Sequence, residues 1–476
     1  ILNWNRTFGS HNFDLMGGHE YYHYKYNSIS ASKTGFPFGG LYELASGSTI
    51  ASASSYENND ALESYFSRLN YNFADRYYFS ASYRTDGSSH FHKDFRWGDF
   101  WSVGASWRVS EEAFMDGVTW VDNLTLKASF GTQGNNAVGL YAWQSFYDLT
   151  YNNAGLNGAV VTSLENKEVS WEKNENLNVG LEGRFFDRLN LGVEWYTRKT
   201  TDMLLYRPMA TSLGFNGFYD NIGDMKNTGF DITASYDIIK TKDFLWSVNA
   251  MGSTVKNEVL KLTDEQDEII SGTTIIRVGE TLNSFYMARS AGVDPATGAQ
   301  LYWVYDKDEE GNPGEPYISA DKTKAAASRE ILGSRIPDLY GSVGTNLNFH
   351  NFDFTILTTY SIGGKIYDYI GYNYMNPLYM GNNYIRDVLR AWKKPGDMTD
   401  VPRVQKDQTF TLTDRSLIDA SYLSIKNVAL GYTIRNLRSL GLESARVFVQ
   451  GDNLYLFSHR QGMNPQYNFT GSTDFA

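Results

Sequence analysis

The run His19-Glu20-Tyr21-Tyr22-His23 carries the histidine and glutamate spacing of a zinc hydrolase. That chemistry needs a helix, where positions i and i+4 share one face a turn apart. The surrounding residues, Phe13 through Tyr26, are rich in Gly, Tyr and Phe, with Gly17 and Gly18 among them, and read as a strand. On a strand the two imidazoles stand about 13 Å apart, at roughly 3.3 Å per residue, and cannot share one ion. His90 and His92 alternate correctly to share a face, yet no third ligand accompanies them. Asp306, Asp308, Glu309, Glu310 and Gly311 open like a calcium loop, but position five is Glu and position twelve is Tyr317 rather than Glu. A solvated loop is the better reading. Asp294-Pro295-Ala296-Thr297-Gly298 reads as a tight turn, in which Pro fixes φ and Gly tolerates a positive one. The chain has no Cys, which removes disulfides, thiol nucleophiles and thiolate metal sites. No nucleophile elbow, phosphate loop or dinucleotide fingerprint sits in a supporting context, and scattered carboxylates do not make a glycosidase pair. The expectation is no enzyme, no metal and no cofactor.

The aromatic residues are the better candidates for contact chemistry. Tyr141, Trp143, Phe146 and Tyr147 crowd one long loop; Tyr367, Tyr369, Tyr372, Tyr374, Tyr379 and Tyr384 crowd another. Their faces suit sugar rings or peptide side chains, since an aromatic ring offers large contact area and Tyr or Trp adds a polar handle. They suit loop-to-loop packing, or contact with a lid protein, equally well. Tyr77 and Tyr78, beside a short turn, read as part of an interfacial girdle.

The elements that must position these groups are strands. Leu177, Val179, Leu181, Gly183 and Phe185 alternate with Asn178, Gly180, Glu182 and Arg184; after Phe186-Asp187-Arg188 the pattern resumes at Leu189, Leu191, Val193 and Trp195. Leu124 to Phe130 and Trp246 to Ala250 repeat it. The 476 residues are 42% hydrophobic and 15% aromatic, with 34 Tyr, 28 Phe and 11 Trp. So many amphipathic rings in so polar a chain suit a wall with a wet face and an aromatic-girdled one. No apolar run approaches the roughly 20 residues of a membrane helix, and a closed barrel is the other structure that satisfies its backbone in lipid. The net charge of −12 argues against nucleic acid.

Short connections are predicted near 73–76, 110–121, 186–188, 237–243, 290–298, 350–351 and 433–444. Long ones fall near 23–61, 85–97, 132–173, 201–223, 256–279, 306–336 and 362–417. Alternating short and long connections are what consecutive hairpins of a transmembrane barrel show, with short turns at one end and long loops at the other. The fold class is therefore all-β, a transmembrane antiparallel β-barrel with about fifteen strands, from an upward one near 12–22 to an upward one near 445–454. An odd count without closure predicts a partial barrel, either incomplete at both ends or completed by other polypeptide.

Ser64-Tyr65-Phe66-Ser67-Arg68-Leu69-Asn70-Tyr71, Arg84-Thr85-Asp86-Gly87-Ser88-Ser89, Arg96-Trp97-Gly98 and Ser102 through Arg108 to Glu112 occur in this order. Gly131 to Asn136, Ala291 to Gly298, Ser421 to Val428, Gly431-Tyr432 and Gly451-Asp452-Asn453-Leu454 follow. Together these words resemble the SusC/RagA-like branch of TonB-dependent outer-membrane transporters over nearly the whole chain. The resemblance implies a 22-stranded barrel, of which this chain holds the wall from near strand 7 onward without the last strand, the plug or the TonB box. It implies residence in the bacterial outer membrane as a multi-pass protein. It also implies import of an oligosaccharide or peptide with a SusD-like lipoprotein lid, energised through TonB and its inner-membrane complex, in higher assemblies of transporter–lipoprotein pairs. A passive porin would share the alternation and girdles but lack an upstream plug. A surface adhesin or solenoid would show a fixed short repeat, which is not seen here.

Overall fold

The computed structural model describes residues 1–263, 266–309, 311–369, 371, 383–405, 411–435, 441–460 and 463–466. Its principal sheet is made of strands β1 (Leu2–Phe8), β2 (His11–Thr34), β3 (Thr49–Phe73), β4 (Tyr77–Ser88), β5 (Trp97–Arg108), β6 (Val121–Asn135) and β7 (Glu172–Phe185). It continues with β8 (Leu189–Thr201), β9 (Asp224–Lys240), β10 (Phe244–Ser253), β11 (Leu339–Phe349), β12 (Phe352–Ile362), β13 (Tyr422–Arg435) and β14 (Ser444–Ser458). They follow one another in chain order, and the short strand Lys256–Lys261 pairs with β9 to make fifteen. No helix among the described residues is long and apolar enough to cross a membrane.

Two features differ from the sequence reading. The segment 290–298 is not a connection between wall strands: Arg289–Val293 and Gln300–Val304 belong to a separate three-stranded sheet within a long excursion between β10 and β11. The wall therefore loses two expected strands there and gains β1 at the front. The expected loop 23–61 is largely strand, because β2 and β3 pair continuously from His11↔Phe73 to Thr34↔Thr49, leaving only 35–48 as the connection.

The chain divides into two compact units. The first comprises Ile1–Trp107, Ala128–Leu177 and Lys199–Asp224. In it, Phe79, Ala81, Tyr83, Trp101 and Val103 share one face of β4 and β5, while Ser80, Ser82, Ser102 and Ser106 share the other. The apolar face is bare: Trp97 is 48% and Trp101 43% exposed. Such a surface suits lipid, not water. The polar face is tied by hydroxyl contacts such as Ser82 Oγ to Ser102 Oγ at 2.6 Å. At the short-turn end, Ala74 and Asp75 both have φ of 53° and Arg76 N–H donates to Phe73 O, the type I′ geometry that matches strand twist. Phe73 stacks on Tyr77 there, with Trp107 opposite. Tyr78 points to the polar face and donates to the Asp75 carbonyl at 3.1 Å, so of the two tyrosines only Tyr77 belongs to the girdle.

Beyond the wall, loops 89–96, 136–171 and 202–223 close over a core of Phe91, Phe100, Val138, Val169 and Trp171, with Phe91 and Val169 fully buried. Burying each large side chain contributes about 1.5–3 kcal/mol. Trp171 Nε1 donates to the Arg96 carbonyl at 2.8 Å, and the Ser88 amide donates to that same carbonyl at 3.1 Å. The word from Arg84 to Ser89 is thus a structural knot: Arg84 binds Asp86 at 2.6 Å and Ser64 at 2.7 Å, and Ser89 pairs with Ala61 through both its amide and its hydroxyl.

The second unit holds Arg108–Lys127, Asn178–Arg198 and Met225–Ala476. Phe244↔Phe349↔Phe352↔Tyr432 sit at one level of β10 to β13, beside the short turns. This is a row of rings at the height expected of an interfacial girdle. At the opposite end, described residues of the excursions 254–338 and 363–421 pack against each other. Tyr302, fully buried, donates to Thr411 Oγ1 at 2.8 Å, Gln300 exchanges two hydrogen bonds with the Thr411 backbone, and Ser290 N–H donates to Asp414 at 2.8 Å. Asp294-Pro295-Ala296-Thr297-Gly298 is a tight turn, with the Gly298 amide donating to the Asp294 carbonyl. It docks on the other excursion through Trp392 Nε1 to Pro295 O at 2.9 Å.

Candidate functional site

A concavity of about 420 Å³ lies among the loops of the first unit. Four pieces of chain build it. Loop residues 139–146 supply Tyr141, Gln144 and Phe146, and the strand Val160–Ser163 supplies Thr162 and Ser163. The hairpin Leu204–Pro208 with Gly217–Asn221 supplies Tyr206, Phe218 and Tyr219, and β3 supplies Asn58.

Local chemistry holds each piece in place. Phe146 is fixed in the loop by its amide donating to Ser163 Oγ at 3.0 Å and its carbonyl accepting from Thr162 Oγ1 at 3.2 Å. Tyr206 and Tyr219 face each other in register, with ring centroids 5.5 Å apart in an edge-to-face arrangement. Gly214, in the left-handed region at φ 84°, lets the chain turn between them. The hairpin is pinned by Asn221, which exchanges hydrogen bonds with the Ser170 backbone at 2.7 and 3.0 Å, and by Asn166 donating to Tyr219 O. Tyr141 is placed by its hydroxyl, which accepts from Asn59 N–H at 2.7 Å and donates to Asn59 O at 3.4 Å, and its ring meets Phe146 edge-on at 6.4 Å. The floor and walls carry no ionisable acid or base other than the tyrosine hydroxyls. Close by, His90 Nε2 lies 3.2 Å from Asp60, and the Arg207 guanidinium lies 3.4 Å from the Asp220 carboxylate.

An uncharged cleft of aromatic faces, amides and hydroxyls suits a neutral polar ligand held by stacking and hydrogen bonds. Of the first aromatic cluster, Tyr141 and Phe146 line this cleft. Trp143 turns away into the core beside Ala142 and meets His92 edge-on at 5.2 Å, and Tyr147 lies exposed beside Phe146. In the second cluster, Tyr367 and Tyr369 are neighbours at 6.5 Å and Tyr384 is exposed; Tyr372, Tyr374 and Tyr379 lie outside the described residues. Tyr206, Phe218 and Tyr219 escaped the sequence reading. The signal was Leu204-Leu205-Tyr206 and Gly217-Phe218-Tyr219, two short β-like pieces flanking a Gly-containing turn.

The zinc-like run lies on β2, where His19 pairs with Tyr65 and contacts Glu63 at 3.2 Å. Asp306 is engaged by Tyr317 at 3.0 Å and Lys324 at 3.3 Å. Asp308 accepts from the amide and side chain of Asn312, closing a turn; Glu310 lies outside the described residues.

The bare aromatic face of β4 and β5, with a polar face opposite, is the surface pattern of an outer-membrane β-barrel wall. The chain belongs to the TonB dependent receptor-like β-barrel family, whose model matches residues 1–454. It is 30% identical over 98% of its length to TonB-dependent receptor P3 of Formosa agariphila and 26% identical over 97% to TonB-dependent receptor SusC of Bacteroides thetaiotaomicron, covering 48% and 46% of them. Its fold matches the RagAB peptide transporter with a TM-score of 0.84 at 29% identity, over 98% of this chain and 52% of that one. The chain is thus a SusC/RagA-like barrel portion, located in the outer membrane. It spans about half the length of the curated relatives it matches. The family consists of transport receptors, not enzymes.

Proposed function

We propose that the protein to which this chain belongs imports a bulky nutrient, an oligosaccharide or a peptide, across the outer membrane by a TonB-dependent mechanism. This chain supplies the wall and the outer vestibule. The observation that carries the reading is the aromatic, uncharged cleft of Tyr141, Phe146, Tyr206 and Tyr219, built on rigidly anchored loops above a membrane wall. Membership of the TonB dependent receptor-like family supports the energised mechanism, and the likeness to a peptide transporter supports a bulky substrate. A SusD-like surface lipoprotein closes over the vestibule as a lid, TonB and its inner-membrane complex act on a plug, and transporter–lipoprotein pairs form the higher assembly. The tyrosines of the second unit, Tyr367, Tyr369, Tyr372, Tyr374, Tyr379 and Tyr384, serve as ligand or lid contacts.

The test is uptake of labelled peptides and neutral oligosaccharides by cells carrying the full-length protein and its lipoprotein, with and without TonB. Uptake that stops when TonB is removed or the proton gradient is collapsed supports import. Uptake indifferent to both leaves a passive porin.

A further inference from the structure

The hairpin of β2 and β3 is the longest element of the chain, 24 and 25 residues against 12 for β4 and β5. β4 pairs with β3 only from Leu62 downward. Above that point the edge of β3 that would face another strand is engaged at two places and then left open. Ala61 exchanges hydrogen bonds with Ser89. Asn59 presents its N–H and C=O to the Tyr141 hydroxyl, which takes the place that a paired peptide group would hold. In an antiparallel pair, alternate residues direct both backbone groups to the same side. Glu57, Ser55 and Ala53 therefore present theirs along the same edge as Asn59 and Ala61. No described residue hydrogen-bonds to those groups on that side, and every residue from Thr49 to Glu57 is exposed.

We infer that this edge is a docking strand for an extended peptide, which adds to β3 beside residues 53–57 and runs toward the Tyr141–Tyr219 cleft. This deepens, and rests on, the import reading by choosing peptide over oligosaccharide. A strand edge offers donors and acceptors repeating about every 6.8 Å, from roughly 3.4 Å per residue, which an extended polypeptide matches and a sugar chain does not. The cleft adjoins the edge through shared residues: Asn58 belongs to β3 and lines the cleft, and Tyr141 both caps the edge and lines it. Main-chain pairing would hold peptides of varied sequence, while the aromatic cleft accepts neutral side chains. A bare, two-stranded ribbon is marginal in water, and a third strand completes it.

The experiment uses the full-length protein with its lipoprotein in detergent and three probes. These are an unstructured neutral peptide of about ten residues, the same peptide with alternate amides N-methylated, and a neutral oligosaccharide of similar length. The expected result is binding of the unmodified peptide, with affinity lowered about tenfold or more by N-methylation, since each lost edge bond weakens binding by up to about tenfold. Ser55→Pro removes one edge N–H without touching the ladder to β2, a position where a strand accepts Pro. It should lower peptide affinity by a similar factor. Equal binding of the two peptides overturns the inference, as does equal binding by Ser55→Pro. So does a change in oligomeric or lipoprotein assembly on Ser55→Pro without a change in peptide affinity, which would assign the edge to a protein partner. Binding of the oligosaccharide alone, with TonB-dependent uptake intact, sinks the peptide inference and spares the import reading; uptake independent of TonB sinks the import reading itself.

Discussion

At the scale of single residues, the structure separates groups that hold loops from groups left free to meet a ligand. The Tyr141 hydroxyl holds a loop: without it the part-buried Asn59 amide loses its acceptor. Tyr141→Phe keeps the ring and deletes only the oxygen, so the expected cost is about 1–3 kcal/mol of local stability. It would be read as faster hydrogen exchange at Asn59, with the amides of β4 unchanged. Asp187 makes a different case, in the short turn between β7 and β8, where Phe186 and Asp187 have φ of 55° and 53°. Lys240 at 2.7 Å, then Arg184 at 2.7 Å, hold its carboxyl below the usual carboxylate range. A lowered folded pKa means that the contribution to stability is fully present above the unfolded value. It is lost as pH falls through the folded one. Asp187→Asn keeps a residue that tolerates the left-handed turn, so it isolates the charge. The stability gap between wild type and variant should be constant near neutrality and shrink only below pH about 4. A gap that is flat to lower pH would mean that the turn, not the ion pairs, is what matters.

At the scale of elements, wall strands were legible where one face is apolar and the other polar, as in Leu177 to Phe185 and Leu189 to Trp195. The error at 290–298 has a physical origin: a small sheet buried on both sides has the same propensity for strand as a wall. Its pattern is nevertheless different. Gln300, Tyr302 and Val304 are buried, and Leu301 and Trp303 between them are half-buried, so neither face is left to water or lipid. The continuous run Leu301-Tyr302-Trp303-Val304 was the available clue. The rise of β2 and β3 above the wall was hidden because its Ser, Asn and Tyr face water on both sides, leaving no hydrophobic alternation to read. The aromatic cleft was half legible: Tyr141 and Phe146 stand in one conspicuous cluster, but Tyr206 and Tyr219 meet it only through tertiary packing. At this scale Gly298 is decisive. Its φ is 73°, and a Cβ there would lie 2.5 Å from the Trp392 ring. Gly298→Ala should therefore cost more than about 1 kcal/mol and undock the turn from the excursion carrying Trp392. Limited proteolysis should then cut within 385–403 sooner than in wild type, with the wall left intact. Unchanged cleavage would show that the docking is dispensable to that loop.

At the scale of the molecule, the membrane assignment rests on which face of the wall is apolar, and this can be inverted by one residue. Val103 lies midway along β5 on the face with Phe79, Ala81 and Trp101, opposite Ala81 in register. Ser80 lies on the other face, where it borders a concavity of about 620 Å³ that has room for a long side chain. An arginine at the lipid midplane costs about 2–4 kcal/mol, whereas one on a wet lumen face is tolerated. Val103→Arg in the full-length protein should lower its folding stability in phospholipid vesicles by that amount, while Ser80→Arg stays within about 0.5 kcal/mol of wild type. The two positions belong to adjacent strands of one unit, so differences in depth or in loop folding do not account for the contrast. A larger loss from Ser80→Arg would place lipid on the serine face and turn the wall inside out. Equal small losses from both would mean that neither face meets hydrocarbon, and the aromatic belt would then have to be covered by protein.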